Sequence, residues 1–192
     1  MRDRVKAVSR TVLCENWATL ARTEFDFQRS NGTWQRLARE TYESGDGAGV
    51  LLYNLAQRTV VLTRQFRFPD YQHGESGDLI EVCAGKLDGA DPVTAAKQEA
   101  EEETGYRITE IEEVMAGVYM SPGSVTERLW LYIAAYEAAS RVSEGGGLVE
   151  EGEDIEVLEL GFEEALAMIA SGEIRDAKTV ILLQHLRLKG ML

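Results

Sequence analysis

Ala84-Gly85-Lys86-Leu87-Asp88-Gly89-Ala90-Asp91-Pro92 leads, through Val93 to Gln98, into Glu99-Ala100-Glu101-Glu102-Glu103-Thr104-Gly105-Tyr106. A loop of small residues opens the stretch. Asp91 predicts a helix N-cap and Pro92 the first helical position. Gly105 predicts a left-handed stop after Thr104. Val93, Ala96 and Ala100 fall at helical spacing and are expected to pack inward. Four glutamates fill the five positions from Glu99 to Glu103. Like charges three and four residues apart repel on a helix, so a sequence that keeps them suits a bound cation. Glu99 and Glu103 share one face, Glu102 lies at its edge, and Glu101 is expected to turn away to solvent. Such carboxylates match hard divalent cations. Taken alone, they fit an exposed acidic helix without a ligand equally well.

Working outward, Gly47 to Tyr53 and Thr59 to Phe66 are apolar and β-branched on either side of a polar turn, which predicts paired strands. Asp70 to Gly77 is polar with two glycines and reads as a loop. Leu79 to Cys83, Val114 to Met120, Leu129 to Tyr136 and Ile155 to Leu160 read as strands. Phe162 to Ala170 and Lys178 to Leu188 read as helices, the first ended by Ser171-Gly172. Gly145-Gly146-Gly147 opens an acidic loop expected to be mobile, carrying Glu150, Glu151, Glu153 and Asp154. From Val5 to Tyr42 the pattern is strand-like, with Ser30-Asn31-Gly32 a hairpin turn. Strands, one helix, more strands and two helices predict an α/β sandwich with a mixed sheet. A small antiparallel sheet over residues 1–44 precedes a main domain over 45–192.

The 192 residues carry 33 acidic and 20 basic side chains, a formal net charge of −13. That balance argues against a nucleic-acid binder, which needs a basic face to displace counterions. A small anionic substrate stays open, because a bound metal reverses the local sign. Cys14 and Cys83 form no disulfide framework or metal-ligand spacing and are expected to be buried, reduced thiols in the cytoplasm. Met1-Arg2-Asp3-Arg4 leads into no apolar signal core. No apolar run approaches a membrane span in length. His73 and His185, far apart in sequence, read as surface or supporting residues.

Glu-x-x-Glu-Glu-x-Gly followed by a bulky residue, with glycine and an acidic residue ahead of it, resembles the signature of the Nudix hydrolases. That family cleaves diphosphates linked to another moiety, using divalent cations. Asp91 stands where the signature has its first Glu, Gln98 stands where it has Arg, and six residues rather than seven separate them. In the family those two positions brace the loop while the later glutamates bind metal. The resemblance therefore implies a Nudix-type α/β/α sandwich. It puts Mg²⁺, with Mn²⁺ as the alternative, on Glu99, Glu103 and the Ala84 carbonyl, with Glu102 assisting through water.

The likeness covers nearly the whole chain. It is carried by Leu51-Leu52-Tyr53-Asn54, Arg64-Gln65-Phe66-Arg67, Glu75-Ser76-Gly77, Tyr119-Met120-Ser121-Pro122-Gly123, Gly145-Gly146-Gly147, Glu153 to Leu160 and Gly172 to Asp176. These runs are similar to the branch that splits nucleoside diphosphate sugars, GDP-mannose above all, to GMP and mannose 1-phosphate. The branch forms homodimers that exchange an N-terminal sheet. By this resemblance Trp17, Arg39 and Glu40 hold nucleotide, Trp17 replacing the usual Tyr as a stacking surface, and Arg67 faces the diphosphate. Glu127 acts as, or positions, the catalytic base, and Glu153 is the last metal ligand. Hydrolysis of ADP-ribose or ADP-sugars with the same machinery is the nearest alternative. A nucleotide sensor that does not cleave its ligand is the other.

Overall fold

A computed structural model describes residues 4–192, apart from the Glu151 side chain. It divides into two units: the chain up to Asp46 together with Tyr119–Arg128, and Gly47–Val118 together with Leu129–Leu192.

In the first unit β1 (Val5–Glu15), β2 (Thr19–Gln28) and β3 (Trp34–Glu43) form an antiparallel sheet in that order. The expected hairpin turn joins β2 to β3, where Asn31 Oδ1 accepts from the Thr33 backbone N–H at 3.1 Å. Tyr42 on β3 also bridges to Val125 in the Tyr119–Arg128 segment. Cys14 lies exposed on β1, contrary to expectation, because that strand buries neither face within this unit; Cys83 is buried, as expected.

The second unit is built on a seven-stranded mixed sheet. After β4 (Gly47–Asn54) and β5 (Thr59–Phe66) come the short helix α1 (Phe68–Gln72), then β6 (Asp78–Glu81) and β7 (Cys83–Lys86). The glutamate helix is α2 (Pro92–Thr104), followed by β8 (Glu112–Val118), β9 (Leu129–Ala135) and β10 (Glu156–Gly161). Helices α3 (Phe162–Ser171) and α4 (Ala177–Lys189) close the chain. The main path is β10-β5-β4-β9-β8. Within this sheet β4 and β9 run parallel, and the strand pairs β10–β5, β4–β5, β4–β7, β5–β6 and β8–β9 are antiparallel.

Strands β4 and β5 pair only near their shared turn, from Leu52 to Asn54 against Thr59 to Val61. Beyond it β6 continues on β5 and β7 continues on β4. The single strand expected from Leu79 to Cys83 is thus two, broken at Val82, because one segment serves both diverging partners. The loop expected over Asp70 to Gly77 likewise begins inside α1, which Pro69 starts in its first turn.

Central strand β4 is buried from Gly47 to Leu52, so it reads as a continuous apolar run rather than an alternating one. Ala48, Val50 and Leu52 pack with Val61, Cys83, Tyr132 and Ala134 against Ala95, Ala96 and Ala100 of α2. Alanines on that face let α2 lie close to the sheet. Leu51, Leu62, Leu131 and Ile133 are fully buried with Phe162, Leu182, Leu183 and Leu186 of α3 and α4, which contact β4, β5 and β9. The result is an α/β/α sandwich.

Candidate functional site

Helix α2 starts and stops as its sequence requires. Asp91 Oδ1 accepts from the backbone N–H groups of Val93 and Thr94, both at 3.1 Å. Gly105 closes the helix at φ 77°. At the far end Glu101 turns away to the surface, as expected, and meets a partner there. Arg107 takes it in a two-pronged pair, with nitrogen–oxygen distances of 2.7 and 2.8 Å. This exposed fork offsets part of the like-charge repulsion along the helix.

Glu103 is the unusual member of the set. It is 1% exposed, and among the described residues its Oε2 has no hydrogen-bond partner. Burial above all, with the Glu99 and Glu153 charges adding to it, pushes its carboxyl up to about 8. A buried carboxylate oxygen without a donor is costly unless a cation meets it. Glu99 and Glu153 are therefore electrostatic neighbours of Glu103. Glu102 sits on the exposed side of the same turn.

Among the described residues no three acidic, histidine or cysteine side chains already converge on one ligating point. The reason is local. The Glu99 carboxylate lies over Gly85, filling the space that a side chain there would take. Glu153 turns its Oε2 to the Leu148 backbone N–H at 2.8 Å. The chemistry of this donor set, the carboxylates of Glu99, Glu103 and Glu153 with the backbone carbonyl of Ala84, would suit a hard divalent cation.

Gly85 has an ordinary backbone conformation, so its importance is the room it leaves. A methyl group there would overlap only the tip of Glu99. Gly85→Ala is accordingly expected to fold, with a melting temperature within about 3 °C of wild type, because a flexible carboxylate can swing aside. Its kcat/KM should fall by about 100-fold, since Glu99 is the group displaced. Melting curves and steady-state rates check the two halves separately.

The start of the acidic loop is tied to the end of α2. The backbone N–H groups of Gly146 and Gly147 donate to the carbonyls of Glu103 and Glu102 at 2.9 and 3.2 Å, and Val142 donates to Gly105 at 2.8 Å. Gly145, at φ 73°, lies so close that a Cβ would meet the Glu103 carbonyl oxygen at 2.5 Å. The three glycines thus let the chain dock on the orphan carbonyls at the end of α2. That docking fixes the start of the loop that carries Glu153, whose charge acts on Glu103.

Arg67 stands in the same unit, at the end of β5, and the charge of Glu103 acts on it. Its Nη2 lies 2.7 Å from Glu81 Oε2. Glu81 is buried, and Lys178 Nζ reaches the same oxygen at 3.3 Å. Burial pushes the Glu81 carboxyl up, but Lys178 and Arg67 together more than reverse it, so its net shift is downward. Sequence reasoning missed Glu81 and Lys178. Their signal was faint: one charge inside the apolar run Leu79-Ile80-Glu81-Val82-Cys83, and one lysine at the start of an apolar helix.

The remaining expected site residues belong to the first unit. Trp17, in the turn between β1 and β2, is 71% exposed, which removes a core-packing role within this unit. It stacks on Tyr42, with centroids 6.3 Å apart and planes 26° apart. Arg39 and Glu40 are exposed on β3. Glu127 is half-buried, and the backbone on both sides of it is fixed. Thr126 N–H donates to the Tyr42 carbonyl at 3.1 Å. Arg128 N–H donates to Asp46 Oδ1 at 2.8 Å, and its guanidinium takes Oδ2 at 2.5 Å. Asp46 is a further supporting residue that the sequence did not announce. Of the two histidines, His73 is exposed and His185 half-buried on α4.

Comparison with known proteins gives a consistent result across the chain. Residues 4–42 match the family model described as GDP-mannose pyrophosphatase NudK N-terminal domain, and residues 43–183 match the NUDIX domain model. A GDP-mannose pyrophosphatase of Pectobacterium atrosepticum is 49% identical over 191 residues, covering 99% of this chain and 97% of its own. One of Cronobacter sakazakii is 49% identical, covering 98% and 97%. One of Escherichia coli is 46% identical over the full length of both.

Proposed function

The chain belongs to the Nudix hydrolase family, and from that premise we propose that it hydrolyses GDP-mannose to GMP and mannose 1-phosphate in the presence of Mg²⁺. The buried, unpartnered Glu103 oxygen beside two further carboxylates is the observation that carries the reading. Full-length relatives named GDP-mannose pyrophosphatase support the substrate.

The diphosphate is anionic and the site is acidic. Two unit charges about 4 Å apart repel by about 4 kcal/mol at an intermediate dielectric, so carboxylates alone would reject this substrate. Glu99, Glu103, Glu153 and the Ala84 carbonyl would hold Mg²⁺, with Glu102 assisting through water. Once bound, the cation neutralises phosphoryl charge and acidifies water. Arg67 clamps a phosphate oxygen. Glu127 takes or orients the proton of the attacking water. Trp17 stacks on the nucleobase, and Arg39 and Glu40 bind the nucleotide. The working form is a homodimer that exchanges the three-stranded sheet. The place of work is the cytoplasm, where unpaired thiols such as Cys14 and Cys83 persist. Among the described residues no helix is long and apolar enough to cross a membrane.

A panel of GDP-mannose, ADP-ribose and ADP-glucose, compared by kcat/KM, tests the substrate assignment. GDP-mannose is expected to lead by about tenfold or more, the scale on which hydrogen bonds to a base discriminate. A lead by ADP-ribose would replace the substrate and leave the machinery unchanged.

A further inference from the structure

A line of alternating charge runs from α4 to the candidate site. Asp176, the N-cap of α4, accepts from Thr179 N–H at 2.9 Å and has its Oδ1 3.0 Å from Lys178 Nζ. Lys178 reaches Glu81, which is 4% exposed. Glu81 in turn faces the Nε and Nη2 edge of Arg67, at 3.2 and 2.7 Å from its Oε2. Thr179 Oγ1 accepts from the Val82 backbone N–H at 2.8 Å. The same helical turn therefore also fixes the break between β6 and β7, two residues before Ala84. A buried row of charges is no better than apolar packing for stability. Its one half-exposed end is Arg67, beside the carboxylates, which points to a different role.

We propose that Glu81, held by Lys178 and Asp176, is a positioning residue that orients the guanidinium of Arg67 toward the substrate diphosphate. Glu81 occupies one edge of the planar fork, so the Nη1 side is the one presented to a phosphate oxygen. The guanidinium then needs no reorganisation when substrate arrives. This inference rests on the phosphate-binding role proposed above for Arg67.

A double-mutant cycle in kcat/KM with GDP-mannose and Mg²⁺ tests it, using Glu81→Gln, Arg67→Ala and the double variant, each checked for folding by its melting curve. Glu81→Gln is expected to lose about 10- to 100-fold, the range of coupling between contacting residues, chiefly through KM. Glu81→Asp should recover part of that loss. In the Arg67→Ala background Glu81→Gln should cost less than about twofold, because its effect passes through the missing guanidinium. Losses that multiply in the double variant, or a Glu81→Gln enzyme within twofold of wild type, would overturn the proposal. Should Glu81→Gln not fold, Lys178→Gln takes its place in the cycle, with the same two outcomes decisive. A wild-type enzyme inactive on GDP-mannose and the ADP-sugars would instead overturn the function itself, and this inference with it.

Discussion

Glu103→Gln is expected to cut kcat by about 1000-fold while raising the melting temperature of the metal-free protein. Both effects come from one oxygen. Glu103 is buried beside Glu99 and Glu153, with its carboxyl raised from 4.5 to about 8. Below 4.5 the group is protonated in both folded and unfolded chains and costs nothing. Between 4.5 and 8 the unfolded chain ionises while the folded one keeps its proton, so stability is lost as pH rises through this window. That interval, at roughly 1.4 kcal/mol per pH unit, gives a penalty of about 4–5 kcal/mol above pH 8. Glutamine has no such penalty. The variant should therefore gain about 8–20 °C at pH 8 and almost nothing at pH 4. Differential scanning calorimetry in chelator across this range reads it directly. A variant that melts with the wild type at pH 8, or retains turnover within a few fold, would contradict the role given to Glu103.

Glu127→Gln is expected to lower kcat by about 10²- to 10⁴-fold, the usual contribution of a positioned base, with KM changed less than about threefold. The backbone around Glu127 is tied down independently of its side chain, by Tyr42 before it and Asp46 after it. The substitution should thus leave the melting temperature within about 2 °C. If KM rises with kcat unchanged, Glu127 binds substrate and another carboxylate is the base.

Much of this protein was legible in its sequence because local rules and packing agreed. Asp91, Pro92 and Gly105 marked the ends of α2 correctly, and Ala96 and Ala100 marked its buried face. Asn31-Gly32 marked the hairpin of the first sheet. The gathering of Glu99, Glu103 and Glu153 followed from a family likeness, not from spacing alone. What the sequence hid was long-range. Asp46 and Arg128 are far apart in the chain, and so are Glu81 and Lys178; no periodicity joins such pairs. The break at Val82 depends on β4 and β5 diverging, which neither strand records by itself. Composition also gave no sign that the glycines opening the acidic loop permit close docking on the end of α2.

Digestion of GDP-mannose in ¹⁸O-labelled water, with products separated by mass, tests the central claim most directly. With Mg²⁺, equal amounts of GMP and mannose 1-phosphate are expected, one of them carrying a single ¹⁸O; neither product should form in chelator, and Glu103→Gln should release them about 1000-fold more slowly. Intact GDP-mannose after prolonged incubation with Mg²⁺, or equal product release by Glu103→Gln, would contradict it.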